Sequence, residues 1–107
     1  MKVIKRNGSE VDFDISKIIS AITKANNSGQ HKELTEGQIL EAADYINYKC
    51  EKMNRAVSVE EIQDMVEYLL MESERKDVAK AYIRFRFKKE MARRHHEDFI
   101  NAISQKI

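Results

Sequence analysis

Val3-Ile4-Lys5-Arg6-Asn7-Gly8-Ser9-Glu10-Val11-Asp12-Phe13-Asp14-Ile15-Ser16-Lys17-Ile18 decides how this chain is read. Near its centre, Asn7-Gly8 is a two-residue signal for a type I′ hairpin turn, in which both residues take positive φ. Short runs rich in β-branched and aromatic residues flank it. With Asn7-Gly8 as the loop, Arg6 pairs with Ser9, Lys5 with Glu10, Ile4 with Val11 and Val3 with Asp12. Cross-strand partners share a face. This register turns Ile4, Val11 and Phe13 toward a core, and Val3, Lys5, Glu10 and Asp12 to the other side.

A two-stranded hairpin is marginal alone in water and needs something beneath it. The following residues supply a helix. Asp14 or Ser16 can cap it, and Ile15, Ile18, Ile19, Ile22 and Ala25 recur at helical spacing. Lys17 falls in the first turn, where the helix dipole disfavours a cation. Lys5 and Arg6 come from the neighbouring hairpin. Three cations near one helix N-terminus suit an anion, because free backbone N–H groups point outward there. The alternative is that they are solvated surface charges.

The chain has 107 residues, enough for one domain with a single core. Hydrophobic residues are 42% and charged residues 35%, and there is no proline and there are only three glycines, so long helices joined by few turns are expected. A net charge of +1 gives no global case for nucleic acid or an anionic membrane, although basic residues dominate from Lys76 to His96. The lone Cys50 excludes an internal disulfide and fits a reducing compartment. With no membrane-length apolar run and no signal-peptide pattern, a cytoplasmic protein is the default.

The first helix should fade at Asn26-Asn27-Ser28-Gly29, and residues 30 to 34 read as a polar connection. Thr35 with Gln38 forms a capping box opening a second helix, with Ile39, Ala42, Ala43, Ile46 and Cys50 inward and Tyr45 and Tyr48 at its flanks. Residues 51 to 57 read as a basic, polar link. Ser58 with Glu61 is a second capping box, and Ile62, Met65, Val66, Leu69 and Leu70 then share one helical face. Residues 72 to 77 break the pattern, with Ser73 or Asp77 as caps. A fourth helix starts near Val78 and buries Val78, Ala79, Ala81, Tyr82, Phe85 and Met91. Beyond Ala92, Phe99, Ile100 and Ile103 keep helical spacing without an obvious partner inside the domain, and reading stops at Ile107 without a polar termination signal. That tail is expected to pack on a neighbour or lead into a longer chain.

Lys5-Arg6-Asn7-Gly8, then Val11-Asp12-Phe13 and Lys17-Ile18, resemble the opening of the ATP-cone, a small regulatory nucleotide-binding domain. It stands at the N-terminus of many ribonucleotide reductases and also occurs in a bacterial repressor of reductase genes. The family usually has Asp where Asn7 stands, a change an Asn-Gly turn tolerates. Val57-Ser58-Val59-Glu60-Glu61-Ile62-Gln63 with Val66-Glu67 resembles the third segment of the family. Val78-Ala79-Lys80-Ala81-Tyr82-Ile83 with Arg86 resembles its fourth-helix signature. The segments follow family order over residues 3 to 92, and the likeness is greatest to cones of anaerobic (class III) ribonucleoside-triphosphate reductases.

The resemblance implies a mainly α (α+β) fold: a four-helix cluster capped by an N-terminal two-stranded β-hairpin lid, with a nucleotide beneath the lid. It implies an allosteric domain at residues 1–92 that binds ATP or dATP, with Mg2+ held by phosphate oxygens and water. Residues 93–107 would be a helical extension toward the catalytic part of a parent reductase. ATP favours the activity of the attached reductase and dATP suppresses it. Carried over residue by residue, the site comprises Val3, Lys5 and Arg6 from the first strand, Lys17 after the second, Ser58 opening the third helix, and Lys88 or Lys89 late in the fourth. Implied partners are the nucleotide, the parent's catalytic domain and oligomer contacts through the cone, with no nucleic acid and no membrane.

Two other readings compete. One is the cone of a nucleotide-responsive repressor, but such repressors carry a zinc ribbon with paired Cys-x-x-Cys motifs, and this chain has one cysteine. The run Arg93-Arg94-His95-His96 reads as a solvated helix face rather than a phosphate track, and adjacent histidines on a helix point apart, so no metal ligand set is expected. The other is a ligand-free helical interaction module. The segment itself does not read as an enzyme, having no nucleophile–base pairing and no Walker A glycine loop.

Overall fold

The computed structural model describes residues 1–29 and 33–105. Residues 30 to 32 of the polar connection expected at 30 to 34 lie outside the described residues, as does Ile107. Among those described, the order is β1 (Lys2–Ile4), β2 (Glu10–Asp12), α1 (Ile15–Asn27), α2 (Glu36–Lys52), β3 (Val57–Ser58), α3 (Val59–Glu72) and α4 (Lys76–Gln105). The architecture is mainly helical with a small sheet at its N-terminal end, as expected.

The helices start where side chains can satisfy their free N–H groups. Asp14 Oδ1 accepts from the Ser16 amide at 3.0 Å and opens α1. Both expected capping boxes form. The Gln38 amide donates to Thr35 Oγ1 at 3.1 Å while the Thr35 amide donates to Gln38 Oε1 at 2.9 Å. The Glu61 amide donates to Ser58 Oγ at 3.1 Å and the Ser58 amide to Glu61 Oε2 at 2.8 Å. Each such cap stabilises its helix by about 1 kcal/mol. Ser73 ends α3 instead of opening α4, which begins at Lys76, two residues before the expected start. At the end of α2, Asn54 takes φ +53°, and its amide donates to Glu51 O at 3.2 Å. A short polar side chain is among the few that tolerate this left-handed conformation.

The expected stripes meet in one core. Ile18, Ile22 and Ala25 of α1 join Ile39, Ala43, Ile46 and Cys50 of α2, Ile62, Val66 and Leu70 of α3, and Val78, Ala79, Ala81 and Tyr82 of α4. Ile22 and Ile46 are wholly excluded from solvent, each contributing about 1.5–3 kcal/mol by apolar burial. Burial also pushes the Cys50 thiol up, so it stays protonated and serves as packing.

The hairpin register differs from expectation by one residue. Lys2 pairs with Asp12, Val3 with Val11 and Ile4 with Glu10. The loop has three residues, Arg6-Asn7-Gly8, and only Gly8 takes positive φ, at +86°. The Gly8 amide donates to Lys5 O at 2.9 Å and the Lys5 amide to Ser9 O at 2.8 Å. Asn7 keeps negative φ, and its Oδ1 accepts from the Ser9 amide at 3.0 Å and the Ser9 hydroxyl at 2.6 Å. An Asn-Gly pair serves this turn-plus-left-handed-glycine loop as readily as a type I′ turn. One extra loop residue shifts every pair.

Val3, on the middle strand, is buried at 6% exposure, while its partner Val11, on the edge strand β2, stays exposed. A third strand, absent from the sequence reading, fixes this choice. In the segment read as a polar link, Val57 pairs in parallel with Val3, and Ser58 with Ile4, giving strand order β2-β1-β3. Val57 is fully buried.

Buried Asn26 joins α1 to the start of α2. Its Nδ2 donates to Leu34 O at 2.9 Å, and its Oδ1 accepts from the Leu34 amide at 3.0 Å. Replacing it with Ala leaves both backbone groups without this partner, a cost of about 2–3 kcal/mol. Urea unfolding of Asn26→Ala should therefore show a loss of that size, whereas exposed Asn27→Ala should stay within about 0.5 kcal/mol of wild type.

Candidate functional site

The register of β1 determines where its basic turn goes. Because β1 is hydrogen-bonded to β3, and β3 runs directly into α3, the Lys5-Arg6-Asn7 loop lies over the first turns of α3. Arg6 is drawn onto that helix: its Nη1 lies 3.0 Å from Glu60 Oε1 and its Nη2 donates to Gln63 Oε1 at 3.2 Å. Below the loop is an open cleft of about 420 Å³ lined by Lys5, Arg6, Asn7, Val59, Arg93 and Glu97. Among the described residues that line it, Lys5, Arg6 and Arg93 are cationic and Glu97 is acidic, with Glu60 paired to Arg6 beside it.

A second, smaller cavity of about 70 Å³ lies between α1, α3 and α4, lined by Ala21, Lys24, Gln63, Tyr82, Phe85, Arg86 and Lys89. Gln63 joins the two, lining this cavity while accepting from Arg6. Lys24 Nζ sits 4.8 Å from the centre of the Phe85 ring, a cation–π contact that holds the ammonium at the rim. Arg86 Nη1 donates to Asp64 at 2.9 Å and to Glu67 at 2.8 Å, tying α4 to α3. Burial opposes the charge on Arg86, yet the two carboxylates hold its pKa above the ordinary value. Burial also raises the Tyr82 phenol to about 12, with Arg86 pulling the other way. Both groups keep their usual protonation at neutral pH.

The residues carried over from the sequence are not all brought together. Lys5 and Arg6 line the cleft under the turn, and Lys89 lines the smaller cavity. Lys88 is exposed, and so is Lys17 in the first turn of α1; neither lines either cavity. Ser58 is half-buried beside Ile4, its hydroxyl engaged in capping α3. Val3 is packed against the core, so what it contributes to this region is the register of the sheet. Gln63, Lys24, Arg86 and Arg93 line these cavities without having been assigned to the site from sequence. Periodicity puts a residue on a helix face but does not say which loop will lie over it.

Among the described residues, no group of three or more His, Cys, Asp or Glu side chains could hold a metal ion, and no helix is long and apolar enough to cross a membrane. A sheet-capped helical domain with a cationic cleft under its basic turn presents the charge that a multiply charged anion would need.

Comparison with known proteins identifies the class further. The ATP cone domain family matches residues 1–91, and the chain belongs to that family. It is 39% identical over 101 residues to a vitamin B12-dependent ribonucleoside-diphosphate reductase of Thermoplasma acidophilum, covering 90% of this chain and 13% of the relative. It is 33% identical over 105 residues to an anaerobic ribonucleoside-triphosphate reductase of Haemophilus influenzae, covering 94% of this chain and 14% of the relative. The chain thus spans about one seventh of the length of these curated relatives.

Next to the cleft, Glu61 closes the α3 cap and also accepts from Arg55 at 2.7 and 3.1 Å. The Arg55 bond, then the Ser58 amide, lower its carboxyl from 4.5 to about 2. Its contribution to stability is fully present above pH 4.5 and is lost as the pH falls toward 2. Asp12 and Asp14 are also lowered, by Lys2 and Ser16. They are common to wild type and Glu61→Gln, so comparing the two isolates Glu61. Urea unfolding at pH 5 and pH 2.5 should show wild type losing more stability than Glu61→Gln on acidification.

Proposed function

We propose that this chain is an allosteric nucleotide-binding domain that controls the overall activity of a ribonucleotide reductase, sensing ATP and dATP. Membership of the ATP-cone family supports the nucleotide, because domains of this family bind nucleotide effectors. The single observation that carries the reading is the cleft where Lys5 and Arg6, from the family's opening motif, stand together with Arg93. A triphosphate needs several cations at once, and Lys5 and Arg6 of the turn with Arg93 of α4 supply them. Mg2+ would ride on the phosphate oxygens and water. The relatives support a reductase as the parent chain, and the Haemophilus relative supports the anaerobic ribonucleoside-triphosphate type.

In this reading the turn and the first helical turns of α3 hold the phosphates. Arg6 exchanges contacts with Glu60 and Gln63 for phosphate oxygens, Lys5 approaches from the loop, and Lys17, Lys88 and Lys89 add charge from α1 and α4. Ser58 holds α3 in place beneath, and Val3 holds the sheet. Residues 1–92 form the sensing unit, and residues 93–107 lead toward the catalytic part of a cytoplasmic reductase and its oligomer contacts. The domain binds the nucleotide without turning it over. ATP and dATP switch the parent chain only as far as they differ in affinity for its two states.

Calorimetric titration with Mg·ATP and Mg·dATP, with Mg·GTP as control, tests the reading. Both adenine nucleotides should bind, GTP more weakly, with no phosphate released. Lys5→Ala should weaken binding about tenfold, the worth of one charge-assisted contact, and Lys17→Ala, which removes a charge outside the cleft, should weaken it less, both leaving the helical circular dichroism unchanged. Full-strength ATP binding by the double variant overturns the site assignment.

A further inference from the structure

Helix α4 runs unbroken to Gln105, 30 residues or about 45 Å. Its first half is part of the core and its second half is not. From Ala92 to Ile103 every residue is exposed except Arg93. Among the described side chains, Arg93 is the last on α4 that is partly buried. It lines the cleft beneath the basic turn, and Glu97, one helical turn later, lines it too. On its own helix, Arg93 lies 3.9 Å from Glu90 and 3.8 Å from Glu97. Both separations exceed a charge-assisted hydrogen bond, so its guanidinium is loosely held and facing a cleft that already contains Lys5 and Arg6. Glu90 has a nearer partner in Arg94, at 3.3 Å.

We propose that Arg93 is a further phosphate-contacting residue of the lid cleft, and that through it the occupied cleft fixes the outgoing half of α4. The inference rests on the nucleotide reading above, with the polyphosphate in the cleft under the turn. Once phosphate oxygens lie between Lys5, Arg6 and Arg93, the guanidinium forks onto them and leaves Glu97. Glu97, a carboxylate lining the cleft, then loses its partner and opposes the anion. The lid, which has no direct sheet contact with α4, gains a charged bridge to the helix that leaves the domain. Occupancy is thereby passed to whatever follows Gln105 as a change in how firmly that helix is held.

The test uses the 107-residue chain, whose core closes between Val3 and Tyr82. Wild type, Arg93→Gln, Arg93→Lys and Glu97→Gln are titrated with Mg·ATP and with AMP. Amide hydrogen exchange of residues 94–103 is followed with and without Mg·ATP. Arg93→Gln should bind ATP about tenfold more weakly with AMP binding little changed, since the loss is of one charged phosphate contact. Arg93→Lys should recover part of it, and Glu97→Gln should bind ATP more tightly, a direction structural damage does not produce. Mg·ATP should slow exchange across 94–103 in wild type and not in Arg93→Gln. Wild-type ATP affinity in Arg93→Gln, or unchanged exchange in wild type at saturating ATP, overturns the inference while leaving the nucleotide reading standing. Absence of nucleotide binding by wild type overturns both.

Discussion

The parallel pairing of Val3 with Val57 is the constraint on which the rest depends. It makes β1 the middle strand of a three-stranded sheet and buries both valines. A free two-stranded hairpin has neither the pairing nor the apolar floor to hold its position. Tied to β3, which leads without a break into α3, it acquires a fixed placement relative to the first turn of that helix. Ser58 belongs to both elements: it pairs with Ile4 in the sheet and caps α3 with its hydroxyl. A local capping signal and a long-range strand pairing thus meet at one residue, and the basic turn is aimed as a consequence.

Helix α3 then acts as an acidic rail for arginines from three other parts of the chain. Glu60 takes Arg6 from the hairpin loop, Glu61 takes Arg55 from the link before β3, and Asp64 with Glu67 takes Arg86 from α4. The more exposed of these pairs contribute little to stability singly. Their effect is positional. They hold Arg6 and Arg86 along one helix at the rims of two neighbouring cavities, and Gln63, between the acidic residues, lines the smaller one and accepts from Arg6 of the other. The acidic residues in the first turn of α3 also complement the helix dipole. A polyanion in the cleft would compete with Glu60 for Arg6, so the contact that places this arginine also opposes such a ligand.

The helices were legible because their signals are local. Apolar residues recur at helical spacing, two capping boxes open α2 and α3, and Asn26 to Gly29 end α1 at the expected place. The family resemblance was legible for the same reason: its motifs are turns, caps and helix faces. The hairpin register was not, since Asn7-Gly8 satisfies two loop types that differ by one residue, and only the burial of Val3 against Val57 distinguishes them. β3 was not, because a two-residue strand has no period to detect. The site was half legible. Lys5 and Arg6 stand out in the opening motif, whereas Gln63, Lys24 and Arg93 become neighbours of a cavity only through the packing of separate elements.

By itself, then, the sequence determined the helices, their caps and inward faces, the hairpin and its basic turn, since each follows from side chains within a few residues of one another. The tertiary structure decided which face of the hairpin is buried, that Arg6 lies along α3, and that Arg93 of the outgoing helix shares a cleft with Lys5. These depend on pairings between residues more than fifty positions apart. Such contacts are selected by burying Val3 and Val57 together, and no local propensity records that gain.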